Sequence, residues 1–142
     1  MKTVSKSEMD LASLALRLGF GFFMVFGHGL GKLQMLFSGG EIMFPSVAGL
    51  SPLLSLILAV LAEFLAALAV LAGFKTRLAS LPVVITMGVA AFIIHYNDPL
   101  FAAAAQGGGS KEMAILFMLG FLGTMFLGSG KYSLDTLLSK RH

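Results

Sequence analysis

The chain has 142 residues, a length suited to one domain. Its mean hydropathy of +0.91, with only 12% charged residues, excludes a water-soluble globule. Cysteine is absent, which rules out disulfides, thiolate metal ligands and thiol nucleophiles. The formal net charge of +3 would suggest nucleic acid in a soluble protein, but here the basic residues sit in short segments between apolar blocks. They are read as topology signals, so no nucleic-acid partner is expected.

Residues 1–10 are polar, and an apolar block over 11–30, broken only by Arg17 and His28, predicts the first membrane span. It exceeds the apolar core of a signal peptide, and Gly27-His28-Gly29 offers no small-residue cleavage site, so the segment is expected to stay in the mature protein. Gly39-Gly40, Pro45 and Ser51-Pro52 break up the following apolar segment, which is placed at the membrane interface. Residues 53–74 form the second predicted span, with Pro52 at a harmless first-turn position, Gly73 as a stop and Glu63 as its only charge.

Lys75-Thr76-Arg77 is a tight basic turn before a third predicted span over 78–95. Residues 100–110, with an alanine run and Gly107-Gly108-Gly109, read as a flexible connection. A fourth span is predicted over 112–127, stopped by Gly128-Ser129-Gly130. The fold class expected is an all-α, integral membrane antiparallel four-helix bundle forming one domain over 1–142. Two basic residues near the N terminus, two in the 75–77 turn and three in the tail stand against Lys32 and Lys111 alone on the other side. That bias places both termini in the cytoplasm, and the two long connections outside, in the periplasm of a bacterium.

Two groups of residues carry potential chemistry. Glu63 falls near the middle of its span, where an ionised group costs a few kcal/mol on insertion scales, so it is expected to be protonated, paired or facing water. Arg17 enters the first span from the cytoplasmic end and is the predicted partner, the two forming a polar interior pair across antiparallel helices. Alternatively, that pair only holds the helices together. The second group is His28, Lys32, His95 and Glu112, which antiparallel threading brings to one depth as an outward polar site. Arg17, Gly21, Met24, His28 and Gly31 fall on one helical stripe, expected to face the protein interior. Each member of the outward group also has a plainer reading as an interfacial side chain, with Lys32 snorkelling and His28 bonded to a carbonyl. No short ligand spacing supports a metal site, and no strand precedes a glycine string as nucleotide binding would need.

Arg17, Gly27-His28-Gly29-Leu30-Gly31-Lys32, Glu63, Gly73-Phe74-Lys75-Thr76-Arg77, His95, Glu112-Met113-Ala114 and Gly128-Ser129-Gly130-Lys131-Tyr132-Ser133-Leu134-Asp135 occur in this order. On these motifs the chain resembles the DoxX family over nearly its whole length. The resemblance implies a small four-span bacterial inner-membrane protein. Its better-known relatives are the membrane subunit of a thiosulfate:quinone oxidoreductase and partners in redox-stress complexes. It implies fold and location more than activity. Three functions follow as expectations: an accessory, assembly or stress-response partner in a membrane complex; a quinone-linked oxidoreductase subunit, with quinone as the possible cofactor; or a transporter of a small solute or proton. Partners expected are the lipid bilayer and another membrane protein or further copies of the chain.

Overall fold

The computed structural model describes residues 4–105 and 108–140. Lys2 and Arg141, used in the orientation count, and Gly107 of the glycine run lie outside that range. Helix α1 spans Lys6–Phe37 and opens on a capping box, in which the Ser5 hydroxyl accepts from the Glu8 N–H and the Glu8 carboxylate accepts from the Ser5 N–H. Apolar character falls off after residue 30, yet the helix runs on to Phe37, and Gly39 at φ 69° turns the chain away beyond it. Helix α2, Pro52–Ala72, starts on a Ser51 cap with proline in its first turn. It ends at Gly73, which takes the left-handed conformation at φ 74°. Helix α3 covers Thr76–Ile94, a short 3-10 turn covers Ala102–Ala104, α4 covers Glu112–Leu127 and α5 covers Leu134–Ser139.

By length and composition α1, α2 and α3 can each cross a membrane. Helix α4 has 16 residues and is shorter, about 24 Å at a 1.5 Å rise. Large apolar side chains such as Phe23, Phe26, Leu58, Ile85 and Phe126 stand exposed along the helices, as a lipid solvent permits. Against each other the helices bury Met24, Val25, Ala67, Val70, Val83, Met87, Phe117 and Phe121. Helix α1 packs on α2 and α4, and α3 packs on α2 and α4. Small residues set the closest approaches. A Cβ on Gly29 would collide with the Glu63 carbonyl, and one on Gly21 would press on Leu71. The antiparallel register of α1 and α2 therefore sets residue 29 opposite 63 and residue 21 opposite 71.

Among the described residues, three helices contain a wide π-helical segment: Met24–Gly29 in α1, Leu61–Ala66 in α2 and Ala90–Ile94 in α3. A π turn adds a residue to the helical repeat and so moves the facing stripe by one position. In α1 the buried series is Ser13, Arg17, Gly21, Met24, Val25 and Gly29. The predicted stripe holds as far as Met24. Beyond it Gly29 takes the inner position, His28 is only half-buried and Gly31 is exposed.

The ends carrying the termini are closed by polar bonds between distant segments. Ser13 Oγ donates to the Gly128 carbonyl at 2.6 Å, and Asp10 accepts from the Lys131 N–H at 2.9 Å. Asp135 accepts from the Lys75 N–H and the Ser129 hydroxyl, while its own N–H donates to the Gly73 carbonyl. The Gly-Phe-Lys-Thr-Arg turn and the Gly-Ser-Gly-Lys-Tyr-Ser-Leu-Asp tail thus recognise one another. Farther in, Ser80 of α3 and Thr124 of α4 share a buried hydroxyl bond of 2.7 Å.

Candidate functional site

The predicted Arg17–Glu63 pair does not form. Arg17 is buried and donates from Nη2 to the Tyr132 carbonyl at 2.5 Å and from Nη1 to the Leu71 carbonyl at 3.4 Å. Glu63 bonds Lys32 instead, Nζ to Oε2, at 2.6 Å. Register explains both. Residue 29 is the one facing Glu63, and Arg17 lies twelve positions earlier, about 18 Å along the axis. Side chains on a helix also lean toward its N terminus. Arg17 therefore leans away from Glu63 toward the tail, while Lys32, one turn beyond Gly29, leans back onto Glu63. Between the two levels lie Met24, Ala67 and Phe121, all fully buried.

The Lys32–Glu63 pair sits in the wall of a cavity of about 580 Å³. Its side chains are 23% and 5% exposed, and each retains unused bonding capacity among the described residues. An ammonium carries three N–H donors and a carboxylate accepts at two oxygens, against the single bond observed between them. Most of the remaining wall is apolar: Leu58, Ala59, Ala62, Ile85, Val89, Met113, Ala114 and Phe117, with Phe44, Pro45, Val47 and Leu50 from the segment between α1 and α2. Leu58, Leu61 and Ile85 line the cavity and are about half exposed. The cavity is therefore open sideways between α2 and α3. The π segment of α2 carries Glu63 itself, and that of α1 carries His28, so the widened turns lie in the walls of this space.

Of the predicted outward group, His28, Lys32 and His95 all line this cavity. His28 is partly covered by Phe117, edge to face with centroids 5.0 Å apart. It also borders a second groove of about 470 Å³ between α1 and α4, lined by Ala15, Gly19, Phe23 and Gly27. His95 Nδ1 shares a hydrogen bond with Asp98 Oδ2, 2.6 Å away. Glu112 departs from the prediction: it is not among the lining residues, and its Oε2 accepts from the Ala102 N–H at 2.7 Å. Being the first residue of α4, it can turn back onto the 3-10 segment that precedes its helix, and that contact removes it from the site.

Sequence reasoning placed Glu63 with Arg17 and missed its membership of the outward group. Gly29 marks the close approach of the two backbones, but Gly27 and Gly31 have the same kind of flanking residues and meet open space, so the sequence does not single it out. Asp98 was also missed, though it stands three residues after His95 in a turn sequence, a spacing that favours a side-chain bond. A family model described as DoxX matches residues 12–96. No curated protein and no solved structure matches the chain.

Proposed function

Because the chain belongs to the DoxX family, we propose that it is a bacterial inner-membrane protein of four spans with both termini in the cytoplasm, whose cavity binds a quinone-class molecule for a membrane complex. The observation that carries this reading is one charged, donor-rich pair, Lys32 and Glu63, in an otherwise apolar cavity of about 580 Å³ that opens sideways. Small-molecule sites have this character: apolar walls with a few convergent polar groups that fix orientation. A lateral mouth among leucines and isoleucine suits a ligand that arrives dissolved in lipid. Its carbonyl oxygens would accept from the Lys32 ammonium, and its hydroxyl form would donate to Glu63 or a histidine. A basic tail and a basic 75–77 turn at the end closed by Arg17 support the orientation.

The test is binding of decylubiquinone to the purified protein. Lys32→Met should weaken it about tenfold, the value of one charge-assisted hydrogen bond, while Gly27→Ala, which meets open space, should leave it unchanged. Equal affinity in the two variants would refute the site. A second reading, an accessory or assembly partner, is favoured by Gly19, Gly27 and Gly31, whose added Cβ atoms would touch nothing. Such a small-residue face lets another membrane helix approach closely. Stoichiometric co-purification lost in Gly19→Leu would support it. The transport reading draws no support from an Arg17–Glu63 pair, since Arg17 bonds Tyr132 and Glu63 bonds Lys32.

A further inference from the structure

We infer that His95 and Asp98 form a proton-exchange dyad in the wall of the cavity where α3 ends, serving the hydroxyl form of its ligand; this rests on the quinone-class reading of the cavity. His95 lines the cavity, and its Nδ1 is held 2.6 Å from the Asp98 carboxylate. The placement is built rather than incidental. The π segment Ala90–Ile94 ends on His95, whose N–H donates to the Ala90 carbonyl, and the Asp98 N–H donates back to the His95 carbonyl. The backbone at Gly109 closes over the dyad, where a side chain would strike both Asp98 Oδ2 and His95 Nδ1.

An ionised carboxylate is only an acceptor, so Asp98 in that form selects the tautomer with the proton on Nδ1. The remaining nitrogen, Nε2, then has a lone pair to offer. With side-chain exposures of 33% and 37%, His95 and Asp98 also reach outside water. The step is simple. The ligand's O–H bond breaks, its electron pair stays on the ligand oxygen, and the proton bonds to Nε2. The imidazolium formed is stabilised by Asp98 and then releases a proton to outer water, restoring the neutral ring. The oxyanion left behind lies in the same cavity as the Lys32 ammonium. Other titratable groups facing this space are His28 and Glu63. The neighbouring Lys111 stands over the Tyr96 ring and Glu112 is bonded to Ala102. Asp98 acts as a positioning residue, through His95.

Decylubiquinone and decylubiquinol, the latter under argon, are the probes, with affinity measured for both on the full-length protein. Asp98→Asn and His95→Gln should each lower the quinol-to-quinone affinity ratio about tenfold, the worth of one good hydrogen bond to a charged group. In parallel, ring-nitrogen NMR of the wild type should show His95 protonated on Nδ1, and Asp98→Asn should shift the proton to Nε2. An unchanged ratio in both variants, or an Nε2–H tautomer in the wild type, would overturn the inference while leaving the cavity reading intact. Failure of the wild type to bind either probe would overturn both.

Discussion

Removing the Lys32–Glu63 pair one side at a time tests the register of α1 against α2. The Glu63 side chain is 5% exposed, so Lys32→Met would leave an almost fully buried carboxylate with no cation, and Glu63→Gln would leave an ammonium that is 23% exposed. Breaking a buried pair from one side typically costs about 3–5 kcal/mol. Partial access of Lys32 to the cavity lowers the expectation to about 2–4 kcal/mol for each single variant. Replacing both partners removes the uncompensated charge, so the double variant should lose no more than the worse single one, a coupling of about 2 kcal/mol or more. Equilibrium unfolding in mixed detergent micelles, titrated with sodium dodecyl sulfate, reads these differences. A second cycle with Arg17→Gln supplies the control: Arg17 and Glu63 should be additive to within about 0.5 kcal/mol. If Lys32 and Glu63 are additive and Arg17 and Glu63 are coupled, the register described above is wrong.

Three further outcomes follow. Gly29→Ala should destabilise by about 1–3 kcal/mol, as overpacking against the Glu63 backbone does, while Gly27→Ala should be neutral or slightly stabilising through helix propensity; equal effects would contradict the α1–α2 contact. Arg17→Gln removes donors to Tyr132 and Leu71, so amide exchange should accelerate over residues 130–139 before it does in α3; unchanged protection there would leave Arg17 without a role at this end. Single cysteines at Ser38, Gly108 and Ser139 test orientation in a chain that has none of its own. An impermeant thiol reagent on intact cells should label the first two, and labelling of the third alone would invert the topology.

Hydropathy alone marks out the apolar blocks that become α1 to α4, because block length and charge are properties of the linear chain. Where Pro52 and Gly73 bound α2, local conformational rules suffice as well. Side-chain partnerships are less legible. Placing Arg17 beside Glu63 relied on counting residues from the span ends at a constant α pitch and ignored the lean of helical side chains. That lean sends Arg17 one way and Lys32 the other. The π turns add an error that no composition reveals, since Met24–Gly29 has no residue that requires a wide turn. Glu112 illustrates a different limit. Threading puts it at the expected depth of His28 and His95, but the backbone N–H of Ala102 takes its carboxylate instead.

The closure between Arg17 and Tyr132 has a consequence for biogenesis. The two residues are 115 positions apart, so the first hydrophobic segment is synthesised long before the carbonyl that receives its guanidinium exists. At about 5–20 residues per second the interval is roughly 6–23 s. Until the interval ends Arg17 is an arginine inside a hydrophobic segment with only the Leu71 carbonyl of its two final acceptors, a state that lipid disfavours. The first segment therefore gains by lingering at the insertion machinery until the tail emerges. A ribosome stalled short of Tyr132 would leave a chain in which the apolar helices α1 to α4 are encoded but the Arg17 end stays unlatched.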